Sequence, residues 1–307
     1  MQKDGADMGK RNLAETIRET TRRHLEEENG LLLGQSVSAV GWVNGTVPDT
    51  RGIVELPMTD VAGAGFAVGA AMVGRRPFFV IRFQDFLVLN GSPLINYAAK
   101  VKELHGQSAP VFIRAIAAEG IGPVHSTVLH GMFMHFPGFK ICAPMSPGEY
   151  EKIYTSFMKD DDPYYVSEHR FAYQNKEEFE DIIRDDADIT IFLASSPRLF
   201  AAEASKTLEK EGTKCNIIHL LWLKPFTCSE AVIRGLKKSG KGLVIDAGHE
   251  ICGASRSIAY ELGMASGVMV HALGLKDHTK CLCPPLQNKA PEVDEIVAKV
   301  RNILKLK

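Results

Sequence analysis

The chain has 307 residues, 45% hydrophobic and 24% charged, with 36 Lys+Arg against 37 Asp+Glu for a net charge of −1. Its length predicts two domains, its composition excludes a disordered, coiled-coil or collagen-like chain, and its balanced charge supplies no basic excess for binding nucleic acid. No apolar run approaches the roughly 20 residues needed to span a bilayer, no leader pattern opens the sequence, and the six cysteines are scattered, so a cytoplasmic protein with reduced thiols is expected.

In chain order, Leu13, Ile17 and Leu25 share one stripe and predict a helix over 12–29, ended by Gly30. Leu31-Leu32-Leu33 predicts a buried strand, and residues 34–52, dense in Gly, Asn, Pro and Asp, predict a loop. A short strand at 52–56 leads into Val61–Gly74, which is apolar on every side and rich in Gly and Ala. That pattern predicts a helix packed within the core. Strands are expected at 78–82, 110–116, 139–143 and 164–167, with helices at 94–102 and 149–159. Residues 170–187 are polar and without period, as in a linker. Beyond them, strands at 189–194, 216–223, 242–247 and 268–273 alternate with helices at 201–211, 229–239 and 254–262, and a helix at 292–306 follows. Strands alternating with helices imply parallel sheets joined by βαβ crossovers. The expected fold is α/β with two doubly wound domains, at 1–172 and 188–307, joined by a linker at 173–187.

Several short motifs recur in a defined order. They are Arg76-Pro77, Phe83-Gln84-Asp85-Phe86, Asn96-Tyr97-Ala98-Ala99-Lys100, Gly122-Pro123-Val124-His125-Ser126, His135-Phe136-Pro137-Gly138, and Asp246-Ala247-Gly248-His249-Glu250 with Gly253-Ala254. None is specific alone. In this order and spacing the chain resembles the beta subunit of thiamine-diphosphate-dependent 2-oxo acid dehydrogenases, over most of its length. The resemblance implies a transketolase-like pyrimidine-binding domain followed by a transketolase C-terminal-like domain. It also implies thiamine diphosphate at an interface between chains, and an alpha subunit that holds the diphosphate and its Mg2+ through a Gly-Asp-Gly…Asn motif absent here. The implied assembly is α2β2 with beta–beta contact, inactive without alpha, and served by a lipoyl acyltransferase. The implied reaction is 2-oxo acid decarboxylation with acyl transfer. The related split transketolases carry out two-carbon ketol transfer instead.

The resemblance also assigns site residues. Asp60 stands where the family has a glutamate, in register with Pro57, Gly65 and Gly69. The family carboxyl shares a proton with a pyrimidine nitrogen, across a contact of about 2.6–3.2 Å. Aspartate keeps that chemistry but is one methylene shorter. It equally suits a cap for the glycine-rich helix, and both roles stand open on the sequence. Glu55, a strand length upstream, is a poor substitute. Phe83 is implied to stack on the pyrimidine and Phe86 to line the same pocket. Arg82, unusual beside an apolar strand, suits an anionic group near the cofactor or an ion pair with a neighbouring acid. His125 lies in a loop after a strand, where such sheets place ligands, and an imidazole there can hand on a proton.

The other candidates have plainer readings. His130 and His135 are expected to pack or cap. With no carboxylate or cysteine among them and His125, the three histidines make a poor metal set. His278, Cys281 and Cys283 lack the second pair of a zinc site. His249-Glu250 reads as a hydrogen-bonded turn, and Asp160-Asp161-Asp162-Pro163 as a solvated turn. Gly63, Gly65 and Gly69 with Asp85 approximate a dinucleotide fingerprint, but residues 57–62 separate them from the strand and Asp85 lies past the next one. Gly34-Gln35 departs from the family's Gly-Glu-Asp, which leaves the substrate open. A degenerate scaffold subunit is the non-enzymatic alternative; Phe83 and His125 favour the enzyme.

Overall fold

The computed structural model describes residues 10–118, 122, 124–279 and 288–305. In the first half, strands β1 (Leu31–Gln35), β2 (Ile53–Leu56), β3 (Pro77–Ile81), β4 (Phe112–Ala117), β5 (Lys140–Cys142) and β6 (Tyr164–His169) form a parallel sheet in the order β2-β1-β3-β4-β6-β5. The second half contributes β7 (Ile189–Ala194), β8 (Cys215–Leu220), β9 (Trp222–Lys224), β10 (Gly242–His249) and β11 (Val270–Leu275). Four of these make a second parallel sheet, ordered β11-β10-β7-β8. The fifth, β9, instead pairs antiparallel with β5 and completes the first sheet. The single strand expected at 216–223 is therefore two strands that serve different sheets.

Helices cover both faces. They are α1 (Leu13–Glu26), α2 (Ala39–Gly45), α3 (Asp60–Met72), α4 (Leu87–Pro93), α5 (Val101–His105), α6 (His130–Met134), α7 (Pro147–Phe157), α8 (Ala201–Lys210), α9 (Glu230–Ser239), α10 (Ala254–Ser266) and α11 (Val293–Leu304). None of the described helices is long and apolar enough to cross a membrane. Asn12 and Glu15 form a capping box that starts α1, whose buried stripe of Leu13, Ile17 and His24 faces α7. On each strand alternate residues enter opposite cores. Phe78 packs with Leu13, Ile17 and Phe157, while Phe79 packs with the α3 side chains Ala64, Ala67 and Val68. That second core runs on into Phe192, Val244 and Leu262, so the two halves share one apolar interior.

Two further expectations change. The loop at 34–52 holds α2, in which Gly41 to Gly45 all have positive φ, between 53° and 74°. Left-handed turns of this kind carry no helical sequence period. The glycine-rich helix exists as α3 but is not enclosed: Val61, Phe66 and Val73 are 54%, 57% and 79% exposed.

Several motif residues turn out to be structural. Arg76 donates to the carbonyls of Phe157 (2.8 Å) and Asp160 (2.6 Å), tying β3 to the end of α7. Gly138, at φ 84°, lies so close to Ala99 that an added Cβ would sit 1.8 Å from its carbonyl oxygen. The His-x-Pro-Gly motif and the Asn-x-Ala-Ala-Lys motif thus pack on each other. In the acidic turn, Asp160 pairs with Lys140, Asp161 with Arg76 (3.3 Å) and Asp162 with Lys102 (2.7 Å), so protein cations answer each carboxylate.

Candidate functional site

A small cleft opens at the C-terminal ends of β1 and β3, where doubly wound sheets place their ligands. Gln35, Ser36, Met58, Asp60, Arg82, Phe83, Phe86 and Asn90 are among the residues lining it. Its volume of about 60 Å³ is far below the roughly 300–1,000 Å³ of a complete ligand pocket. It is an open cleft, not an enclosed cavity.

Asp60 is the first residue of α3, and its carboxyl is not the cap of that helix. With its amide oriented to satisfy both ends, Gln35 accepts from the N–H groups of Thr59 (3.1 Å) and Asp60 (3.2 Å). The cap is thus supplied from the end of β1. Asp60 Oδ1 accepts from Asn90 Nδ2 at 3.0 Å, and the same Asn90 nitrogen donates to the Phe86 carbonyl at 2.9 Å. Asn90 is buried, so the carboxylate is held through Oδ1 from within the protein, and Asp60 lines the cleft. Glu55 has a different task. Its carboxylate accepts from the N–H of Val37 (3.2 Å), the N–H of Ser38 (3.0 Å) and the Ser38 hydroxyl (2.8 Å). Burial alone would raise its pKa, but these bonds outweigh that and hold it below the usual range.

The aromatic residues meet around His125. Its ring stands edge-on to Phe83 (centroids 4.6 Å apart, 81°) and to Phe86 (5.5 Å, 85°), and the two phenyls contact each other at 5.9 Å. Arg82 lies 5.8 Å from the Phe83 centroid. Arg170, just past β6, lies 4.6 Å from it and donates to the Arg82 carbonyl at 3.2 Å. The Nε atoms of both arginines are buried without a partner. Burial, with the nearby Arg82 charge adding to it, lowers the pKa of Arg170. Two adjacent guanidiniums without an acid among the described residues suit an anion. Arg170 and Asn90 carry no motif in the sequence; only the fold brings Asn90 to the cleft and Arg170 against Phe83.

The remaining candidates lie elsewhere. His130 is fully buried, with Nδ1 bonded to Ser167 Oγ (2.9 Å) and Nε2 to both Asp246 oxygens (3.0 and 2.9 Å). His135 stands edge-on to Phe136 at 5.5 Å. The three histidines do not converge, and no group able to hold a metal occurs among the described residues. His249 Nδ1 bonds the Lys276 carbonyl at 2.9 Å and Glu250 pairs with Arg256 at 2.8 Å. His278 bonds the Thr279 carbonyl; Cys281 and Cys283 lie outside the described residues.

Comparison with known proteins agrees with this architecture. The transketolase pyrimidine-binding domain matches residues 9–176 and the transketolase C-terminal domain matches residues 180–278. The chain is 29% identical over 249 residues to the beta subunit of acetoin:2,6-dichlorophenolindophenol oxidoreductase from Cupriavidus necator, covering 76% of this chain and 72% of that protein. It is 30% identical over 209 residues to the beta subunit of 2-oxoisovalerate dehydrogenase from Bacillus subtilis (63% and 64%). It is 26% identical over 273 residues to the beta subunit of the pyruvate dehydrogenase E1 component from Rickettsia felis (80% and 82%). A split-gene transketolase, solved as an inactive beta4 tetramer, superposes with a TM-score of 0.76 over 97% of this chain and 100% of that one, at 18% identity. From the matched domains and these relatives, the chain belongs to the transketolase pyrimidine-binding and C-terminal domain families, as a distant homologue of the E1 beta subunits of 2-oxo acid dehydrogenases and of acetoin oxidoreductase.

Proposed function

We propose that this chain is the beta-type subunit of a thiamine-diphosphate-dependent enzyme that breaks the carbon–carbon bond beside a ketone, with 2-oxo acid decarboxylation and acyl transfer as its reaction. One observation carries the reading: Asp60, Phe83 and Phe86 line one open cleft, and the His125 ring stands against both phenyls. The residues present fit an aminopyrimidine. A carboxylate, apolar ring walls and Arg82, whose buried Nε has no partner among the described residues, line the same cleft.

When bound, thiamine diphosphate supplies the nucleophilic carbon and takes up the electrons of the broken bond. This chain's residues bind and orient. Asp60 Oδ2 holds or takes a proton at a ring nitrogen. Phe83 and Phe86 present flat, water-excluding walls. His125, ringed by those phenyls, passes a proton to or from the substrate.

The other wall belongs to an alpha-type partner that holds the diphosphate and Mg2+. Val61 and Phe66 on α3, Val73 just past its end, and Val88 and Leu89 on α4 are all more than half exposed. Cβ atoms added at Gly65 or Gly69 would meet nothing within 4 Å. Such a surface beside the cleft suits subunit contact, in an α2β2 assembly that also joins beta to beta. A lipoyl acyltransferase would take the acyl group.

A second reading, two-carbon ketol transfer as in a split transketolase, is favoured by the Arg82–Arg170 pair, which suits a phosphorylated substrate. Calorimetry tests both readings. The chain co-expressed with its alpha-type partner is expected to bind thiamine diphosphate and Mg2+, and the isolated chain is not. Turnover of 2-oxo acids against ketose phosphates then separates the two reactions. A well-formed complex that binds no cofactor would sink both and leave a scaffold subunit.

A further inference from the structure

The four residues Phe83-Gln84-Asp85-Phe86 divide into two pairs with different partners. The outer phenyls touch the His125 ring. The inner two reach past it to the strand of backbone that follows. Asp85 Oδ2 accepts the Thr127 N–H at 3.2 Å, and Asp85 Oδ1 accepts the Thr127 hydroxyl in a short bond. Gln84 Oε1 accepts the Leu129 N–H at 2.6 Å and the Tyr165 hydroxyl at 2.9 Å. Gln84 Nε2 donates to the Ala115 carbonyl (3.0 Å) and to Ser167 Oγ (2.8 Å). Gln84 is fully buried, so its end of the clamp is fixed to β4 and β6.

The His125 imidazole has no hydrogen-bond partner among the described residues. Its edge contacts with two phenyls are weak and tolerate sliding and tilting. Backbone placement must therefore come from nearby, and Asp85 grips the chain two residues beyond the ring. We propose that Asp85 is the positioning residue for His125, setting the imidazole against Phe83 and Phe86 by holding both polar atoms of Thr127. This rests on the reading of His125 as the group that moves a proton on the substrate. It gives a role to an aspartate that the sequence left unassigned once the dinucleotide fingerprint was set aside.

Two measurements test it. In the isolated chain, the His125 Hε1 resonance, assigned by its loss in His125→Ala, carries ring-current shifts from Phe83 and Phe86. Asp85→Ala is expected to move it toward the value of a free histidine, while Asp85→Asn, which still offers an acceptor and a hydroxyl partner, leaves it in place. The remaining histidine resonances report that the fold is intact. An unmoved His125 resonance in Asp85→Ala overturns the proposal whether or not cofactor binds. In the complex with its partner, Asp85→Ala is expected to lower kcat on the order of 10²-fold, as for a misplaced catalytic group, with thiamine-diphosphate affinity changed less than about threefold. The same substitution in a His125→Ala background is expected to add nothing; a full further loss there also overturns the proposal. A moved resonance together with a wild-type complex that binds no cofactor would keep the positioning and sink the functional reading instead.

Discussion

The seam between the two halves and the wall of the cleft both lie at strand ends of the first sheet, yet they treat polar groups in opposite ways. At the seam charged and imidazole side chains are answered from the other half. His130 bonds Asp246, Arg198 bonds Glu149 at 3.0 Å and again in a shorter contact, and Lys224 bonds the carbonyls of Met134 (3.0 Å) and Phe136. At the cleft, Arg82 and the neighbouring Arg170 keep buried Nε atoms with no partner among the described residues, and α3 leaves Val61 and Phe66 exposed. A region that satisfies itself holds the fold together. A region that does not suits contact with another molecule.

Substitutions should separate the two regions by what they damage. The largest effect is expected at the seam. Arg198→Met strands Glu149, whose side chain is 10% exposed, and should cost about 3–5 kcal/mol in urea unfolding. Adding Glu149→Met should recover most of that, because removing both charges ends the penalty. Next, Gly138→Ala should cost about 3 kcal/mol, since the new methyl meets the Ala99 carbonyl and the backbone is already left-handed.

A buried histidine extends the contrast to pH. His24 stacks on Phe78 at 4.3 Å and bonds the Arg76 carbonyl at 2.6 Å. Burial, helped by the charges of Arg76 and Arg75 and opposed by that bond, lowers its pKa from 6.5 to about 4. The unfolded chain therefore takes up the proton first. This contribution is whole above about pH 6.5, falls as the pH drops toward 4, and is lost below, for roughly 3 kcal/mol in all. Unfolding midpoints between pH 7 and pH 4 should show the slope, and His24→Gln should flatten it.

The smallest effect on stability is expected at the cleft. Asp60→Asn should change it by no more than about 0.5 kcal/mol. The same substitution should weaken thiamine-diphosphate binding by the partnered complex at least about tenfold, as lost charge-assisted bonds do. A seam-sized loss of stability at Asp60 would make it a structural residue and erase the distinction.

Much of this was legible in the sequence, for identifiable reasons. Strand β7 and helix α8 stand out because a continuous apolar run and an amphipathic stripe are local signals. Phe83, Phe86 and His125 were reachable because family motifs carry them. What was not legible depends on distant contacts. Residues 222–224 look like the tail of the preceding strand, and only pairing with β5 assigns them to the other sheet. The two roles open to Asp60 separate only when Gln35 is seen to take the α3 N–H groups. Asn90 and Arg170 matter solely through the neighbours the fold gives them.

The placement of β9 has a consequence for synthesis of the chain. As the protein leaves the ribosome, β5 emerges long before the strand that covers its outer edge. Until residues 222–224 arrive, the nascent first half carries an open sheet edge, which is a template for wrong pairing. The second half therefore covers the β5 edge of the first with one short strand. Cutting the gene at the linker would leave the first half with its edge bare, and such a fragment should aggregate rather than fold as an autonomous domain.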